Sequence, residues 1–264
     1  MTPDDHRLVF IGGHHRSGTS LLHRCIRDHP SVSGFEDTGA VKDEGQHLQS
    51  VYPPGCRFGP VNRFAFDPRA HLTEASSLAR ENTARTLWNE WSAHWGDRPV
   101  LVEKSPPNVI RTRFLQHLFP DARFVVLLRH PIAVAFATLK WNAERIDDLL
   151  QHWLVCYERF AEDRPRLDHV EVLHYEDLVE QPDATLERIY GFLGLESYTP
   201  DADIQSGLNE QYYQLWRERP IGRFNVPPVR AAARWYCRLK FEERVNRFGY
   251  SLDLSSPRQP DGLS

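Results

Sequence analysis

The sequence predicts an α/β fold, a mostly parallel central sheet flanked by helices, and three observations carry that prediction. Short apolar runs of strand length alternate with helix-length amphipathic segments along nearly the whole chain. Runs such as "FVVLL" at Phe124–Leu128 read as strands buried in a sheet. The first run leads directly into a glycine-containing turn and then a helix. In such sheets ligands bind beyond the carboxyl ends of the strands. The strand ends are therefore where function is sought.

Each element follows in order. Arg7–Gly12, "RLVFIG", is the first strand. Ser17–Asp28 is a helix with Leu21, Leu22, Cys25 and Ile26 on one face, and His29-Pro30 ends it, since the residue before proline avoids the helical region. Val32–Phe35 is a second short strand. The Gly- and Pro-rich stretch from 36 to 68 is a long connection of the kind that is often functional. Thr73–Trp95 is predicted to be a helix whose Leu87, Trp88, Trp91 and Trp95 recur at helical spacing, read as core packing with an aromatic substrate wall as the alternative. Val100–Val102 is a buried strand leading into Glu103-Lys104-Ser105, and Val109–Phe119 is a helix. "ARFVVLLRHP" is a strand ending at Arg129, and Pro131 opens a helix that reaches about Trp141. Asp147–Glu162 is helical and Val170–His174 is a strand followed by "YEDL". Asp183–Leu193 is a helix closed by Gly194, and Val229–Phe248 is a C-terminal helix. The chain reads as one domain over residues 1–254 with a frayed tail at 255–264.

Composition narrows the function. A length of 264 residues suits one α/β domain with a full core. The net charge of -4 argues against a dedicated nucleic-acid binder, so no nucleic acid is expected as partner, while a local basic pocket stays compatible with it. No apolar run approaches a membrane span, and the N-terminus lacks the signal-peptide pattern. The four cysteines form no metal-like pair and the 13 histidines are scattered. The expectation is a reduced, cytoplasmic protein with no metal site.

Gly13 to Gly18 has the G-x-x-x-x-G spacing of an ATP-type phosphate loop, but Thr19 and Ser20 stand where Lys and Ser or Thr should follow. Amides at a helix N-terminus still hold an anion. The cation comes earlier, at Arg16, with hydroxyls at Ser17, Thr19 and Ser20. This loop suits a phosphate better than a nucleoside triphosphate with magnesium. Arg129 ends a buried strand where a metal-dependent nucleotide site would more often place an acid, and an arginine there suits a second phosphate. Lys104 adds a third cation from a third strand end. Together they imply a ligand with several anionic groups and little need for a metal.

The stretches "GGHHRSGTSLLHRCIRDHP", "EKSPPNVIRTRFLQHLFPDARF", "FPDARFVVLLRHPIAVAFA" and "YEDLVEQPDATLERIYGFLGL" resemble, in this order, segments of sulfotransferases that use 3′-phosphoadenosine 5′-phosphosulfate (PAPS). The resemblance runs from about Val9 to Leu195 and implies the P-loop-like sulfotransferase architecture. It further implies that His15, Arg16, Ser17, Gly18, Thr19 and Ser20 hold the 5′-phosphosulfate and that Arg129 holds the 3′-phosphate, with PAP as product and no metal. Family members usually carry a serine eight residues after this arginine. Here that position is Ala137, with Thr138 next to it: either Thr138 substitutes or one 3′-phosphate contact is missing. Lys104 and Arg16, with Ser105, would stabilise charge on the leaving phosphate and the sulfuryl oxygens.

A hydroxyl acceptor also needs a base. Glu36, Asp37, Asp43, Glu44 and His47 are on offer. The resemblance implies a glutamate after the second strand, near Glu36-Asp37 or at Glu44; Glu44 is the first choice, Glu36 the second, and His47 the imidazole alternative. The aromatics Tyr52, Phe58, Phe64 and Phe66 could form an acceptor wall, and Arg217, Arg219 and Arg223 could close over the nucleotide. The acceptor class stays open among small molecules, carbohydrates, lipids and peptides, as does the oligomeric state. Two other readings remain: a P-loop small-molecule kinase with Glu103 near magnesium, and a non-catalytic phosphonucleotide binder.

Overall fold

A computed structural model describes residues 5–141, 144–218 and 227–254. Five parallel strands form one sheet in the order β2-β3-β1-β4-β5: β1 Arg7–Gly13, β2 Val32–Gly34, β3 Val100–Lys104, β4 Arg123–Leu128 and β5 Val170–His174. The helices are α1 Thr19–Arg27, α2 Glu81–Ser92, α3 Thr112–Leu118, α4 Pro131–Thr138, α5 Ile146–Asp163, α6 Tyr175–Glu180, α7 Pro182–Leu193, α8 Glu210–Glu218 and α9 Pro227–Asn246.

The strand period of two sorts each strand's side chains onto the sheet's two faces. Val9, Ile11, Val102 and Leu127 pack with α1, α6 and α7. Leu8, Phe10, Leu101 and Phe124 pack with α2 and α3, and Val126 and Leu128 pack with α4, α5 and α9. Helices thus cover both faces, as the unbroken apolar runs require. Register places Lys104 beside Ile11 and Leu127 beside Gly13. The carboxyl ends of the three central strands therefore meet at one edge of the sheet.

Several sequence expectations change. The helix expected over Thr73–Trp95 begins only at Glu81, because Thr73 donates its amide to Ser76 Oγ in a turn and Arg80 is extended at φ -136. The tryptophans are core residues as expected, and Trp95, beyond the helix, donates its indole N–H to Val102 O at 3.1 Å. Prolines 106 and 107 turn the start of the next helix into a single 3-10 segment, Pro106–Ile110, and Arg111 at φ -131 separates it from α3. The α4 helix stops at Thr138 rather than near Trp141. Helix α8 is an element that the sequence pattern did not reveal. Gly194 closes α7 at φ 65, as expected. Residues 255–264, Arg219 and Arg223 lie outside the described residues. Among the described residues, no helix is long and apolar enough to cross a membrane.

Candidate active site

After β1 the chain turns back on itself to enter α1. Arg16 takes φ 69 and Gly18 takes φ 102. A Cβ at Gly18 would stand 2.5 Å from the Tyr175 ring, so the close approach as well as the backbone angle requires glycine. No side chain caps the first amides of α1, and Gly18, Thr19 and Ser20 line the cavity, so those amides are open to an anion. The Arg16 guanidinium lies 4.5 Å from the Trp141 ring centroid.

His14 and His15 differ in role. His14 is fully buried under the loop. The Ala65 amide donates to His152 Nε2 at 3.0 Å, so His152 carries its proton on Nδ1. That proton goes to His14 Nε2 at 2.7 Å, and His14 Nδ1–H reaches the His15 carbonyl at 2.9 Å. Burial pulls His14 down to about 3 and His152 well below its ordinary value, which keeps both rings neutral. His15 faces the cavity, and burial, then Lys104, His47 and Arg16, lower it to about 4.

Lys104 at the end of β3 is 1% exposed, and its Nζ lies 3.2 Å from Glu44 Oε1 and 3.0 Å from the Lys42 carbonyl. The other Glu44 oxygen accepts from Gln46 Nε2 at 2.5 Å and stands 3.9 Å from His47 Nε2. Neighbouring groups fix the segment that carries Glu44. Glu103 Oε1 accepts from the Gly45 amide at 2.9 Å and from Ser105 Oγ at 2.6 Å, while its other oxygen accepts from Asn108 Nδ2. Trp91 donates its indole N–H to Gly45 O at 3.0 Å. Burial pushes the Glu103 carboxyl up to about 7 against the pull of Ser105, Asn108 and Lys104.

Arg129 leaves the end of β4 with its guanidinium 4.1 Å from the Tyr175 ring centroid. Its Nε and Nη2 donate to Asn209 Oδ1 at 2.9 and 2.7 Å, and Nη1 donates to the Arg16 carbonyl at 2.9 Å. The expected anion sites are thereby linked directly.

A cavity of about 1290 Å³ brings these groups together. His15, Arg16, Gly18, Thr19, Ser20, Glu36, Glu44, His47, Lys104 and Arg129 all line it. Ser17 is buried behind the loop, and Ala137 and Thr138 do not line the cavity. Thr138 faces inward: its hydroxyl donates to Val134 O at 2.8 Å and receives Asn62 Nδ2. The hydroxyl of the threonine beside Ala137 is thus held in the core by Val134 and Asn62. Of the expected acceptor wall, Phe64 lines the cavity, while Tyr52 packs on Phe114 in the core and Phe66 packs on His152. Arg217 is exposed on α8 and pairs with Glu210 at 2.8 Å, away from the cavity. Glu36 is on the rim, 57% exposed and paired with Arg27 at 2.6 Å.

Sequence reasoning missed Trp141 and Asn209. Trp141 lay at the far end of an expected helix, and an isolated asparagine carries no spacing signal. Among the described residues, no group of three or more His, Cys, Asp or Glu is gathered to hold a metal ion.

A sequence profile described as "Sulfotransferase family" matches residues 9–200. The nodulation protein NoeE of Sinorhizobium fredii is 25% identical over 268 residues, covering 89% of this chain and 61% of its own length. The omega-hydroxy-beta-dihydromenaquinone-9 sulfotransferase Stf3 of Mycobacterium bovis is 28% identical over 250 residues, covering 73% of this chain and 64% of its own length. The chain thus spans under two thirds of both curated relatives. Among solved structures, the sulfotransferase domain from the Synechococcus PCC 7002 olefin synthase shares the fold with a TM-score of 0.54 and 18% identity, over 93% of this chain and 94% of that domain.

Proposed function

Because this chain belongs to the sulfotransferase family, we propose that it moves the sulfuryl group of PAPS to a hydroxyl or amine of an acceptor by metal-independent in-line transfer. The carrying observation is the meeting of Arg16 and the α1 amides, Lys104 and Arg129 around one cavity, from three adjacent strand ends. Arg16, with the amides and hydroxyls of Thr19 and Ser20, would hold the 5′-phosphosulfate, and Arg129 would hold the 3′-phosphate. The second phosphate is what separates this donor from ATP.

In the reaction an acceptor oxygen forms a bond to sulfur while the bond from sulfur to the bridging phosphate oxygen breaks, and PAP departs. Lys104, whose Nζ is held by Glu44 and the Lys42 carbonyl at the cavity wall, would turn its Nζ toward the departing oxygen. Glu44 is the proposed base: it is buried in the cavity and takes the acceptor's proton as the new bond forms. Glu36, exposed on the rim, is less suited than the buried Glu44, and His47 stands beside Glu44 as a second proton carrier. The apolar side of the cavity, with Pro60, Val61 and Phe64, suits the carbon frame of a small-molecule, carbohydrate or lipid acceptor. The Stf3 relative is an omega-hydroxy-beta-dihydromenaquinone-9 sulfotransferase, which supports a hydroxyl acceptor here.

The kinase reading loses ground on one observation. Glu103, its candidate magnesium ligand, already accepts from Gly45, Ser105 and Asn108 in full burial. Incubation with labelled PAPS and a panel of hydroxylated acceptors tests the proposal. Labelled product and stoichiometric PAP are expected. PAP binding without transfer to any acceptor would favour the non-catalytic reading.

A further inference from the structure

Asn209, just before α8, touches Arg129 in a way that the donor reading does not require. Its Oδ1 accepts from both Nε and Nη2 of the guanidinium, at 2.9 and 2.7 Å. Its Nδ2 donates to Glu176 Oε1 at 2.7 Å and to Tyr213 Oη at 3.2 Å. Glu176 is itself fixed: Oε1 accepts from the His130 amide at 3.0 Å and Oε2 from Tyr250 Oη at 2.7 Å. The amide therefore has one satisfied orientation. Rotated by half a turn, it would set oxygen against carboxylate and N–H against guanidinium.

We infer that Asn209 is the positioning residue that sets Arg129 for the nucleotide's 3′-phosphate and so underlies discrimination between 3′-phosphorylated and unphosphorylated nucleotides. The inference rests on the PAPS reading above. A neutral amide does for Arg129 what a carboxylate could not. It fixes the plane of the guanidinium on its Nε side while leaving the full positive charge for an anion. The Nη1 contact to the Arg16 carbonyl and the Tyr175 ring beneath complete the alignment. Of the five guanidinium N–H donors, these contacts engage Nε and one on each terminal nitrogen, leaving the others for a phosphate oxygen.

Calorimetric titration with PAP and with adenosine 5′-monophosphate, which lacks the 3′-phosphate, tests the inference on wild type, Asn209→Ala and Asn209→Asp. Wild type should prefer PAP. Asn209→Ala should lose about tenfold or more of PAP affinity with monophosphate affinity unchanged, so the ratio of the two falls. Asn209→Asp should lose more, because its carboxylate pairs with Arg129 and repels the phosphate. Unchanged monophosphate binding also reports that each variant is folded. Should the alanine variant fail to fold, Asn209→Ser makes the same comparison. If wild type prefers PAP and the variants keep that preference or bind PAP more tightly, Asn209 is not a positioning residue and the inference falls alone. If wild type shows no preference for PAP, the PAPS reading falls and takes the inference with it.

Discussion

Replacing Lys104 with methionine separates two roles that one residue fills. The side chains of Lys104 and Glu44 are 1% and 9% exposed, with Nζ and Oε1 3.2 Å apart. Coulomb's law at that distance and an effective dielectric of about 20 gives roughly 5 kcal/mol of attraction, much of it offset by desolvation. Methionine keeps the length of the stem but leaves Glu44 buried without its cation. Breaking such a pair costs about 3–5 kcal/mol, which for a chain of this size is on the order of 10 °C in Tm. Adding Glu44→Gln removes the stranded charge, so the double variant should regain most of that stability. Turnover should not return with it. Lys104→Met should lose about 10²–10³-fold in kcat through the departing oxygen, and Glu44→Gln about 10²–10⁴-fold through the lost base. Urea unfolding and labelled-PAPS turnover on the four proteins of the cycle measure both. Recovery of turnover together with stability would refute the catalytic roles. A loss below about 1 kcal/mol in Lys104→Met would refute the buried ion pair itself.

Gly18→Ala should abolish stabilisation by PAP, since its Cβ would stand 2.5 Å from the Tyr175 ring at a backbone φ of 102; retained PAP binding in a thermal-shift assay would contradict the loop assignment. Glu36→Gln should leave turnover within about twofold, as expected of an exposed rim acid, and a loss beyond about tenfold would move the base assignment to Glu36. Acid should destabilise the protein: His14, His15, His23 and His130 are held at about 3 to 4 in the fold, so the unfolded chain binds more protons below pH 6.5. Their contribution is complete above pH 6.5 and is lost as pH falls toward 4, at about 1.4 kcal/mol per pH unit for each proton taken up. Glu103, raised to about 7, acts in the opposite direction but is one group against several. Denaturant titrations from pH 7 to 4.5 should show the fall, and His14→Gln/His152→Gln should show a shallower one. An equal slope in wild type and variant would remove these two rings from the account.

The parts of this molecule written locally in the chain were the legible ones. Apolar runs such as Phe124–Leu128 gave the strands, and the strand, glycine turn and helix sequence gave the loop with Arg16. Lys104 and Arg129 were visible because each follows a run that had to be a buried strand, so its side chain had to emerge at a strand end. What depended on side-chain partners far apart in sequence stayed hidden. His14 meets His152 across 138 positions, and Arg129 meets Asn209 across 80. No periodicity encodes either contact. The direction of the Thr138 hydroxyl is hidden for a related reason: the buried Asn62 and the Val134 carbonyl hold it inward, and spacing from Arg129 does not encode that. The helix over Thr73–Trp95 was overdrawn because Thr73 and Ser76 use a side chain and an amide for a turn where a helix would use backbone alone. Helix α8 escaped because it buries only Tyr212 and Trp216.

The central claim is that one cavity, at three adjacent strand ends, holds a nucleotide with two separated phosphate groups. Thermal shift of wild type and Arg129→Ala, with PAP and separately with ATP and magnesium, tests it most directly. The account predicts that PAP without magnesium raises the Tm of wild type, that ATP with magnesium does not, and that Arg129→Ala loses the response to PAP. Stabilisation by ATP and magnesium with none by PAP would contradict it and return the loop to the kinases.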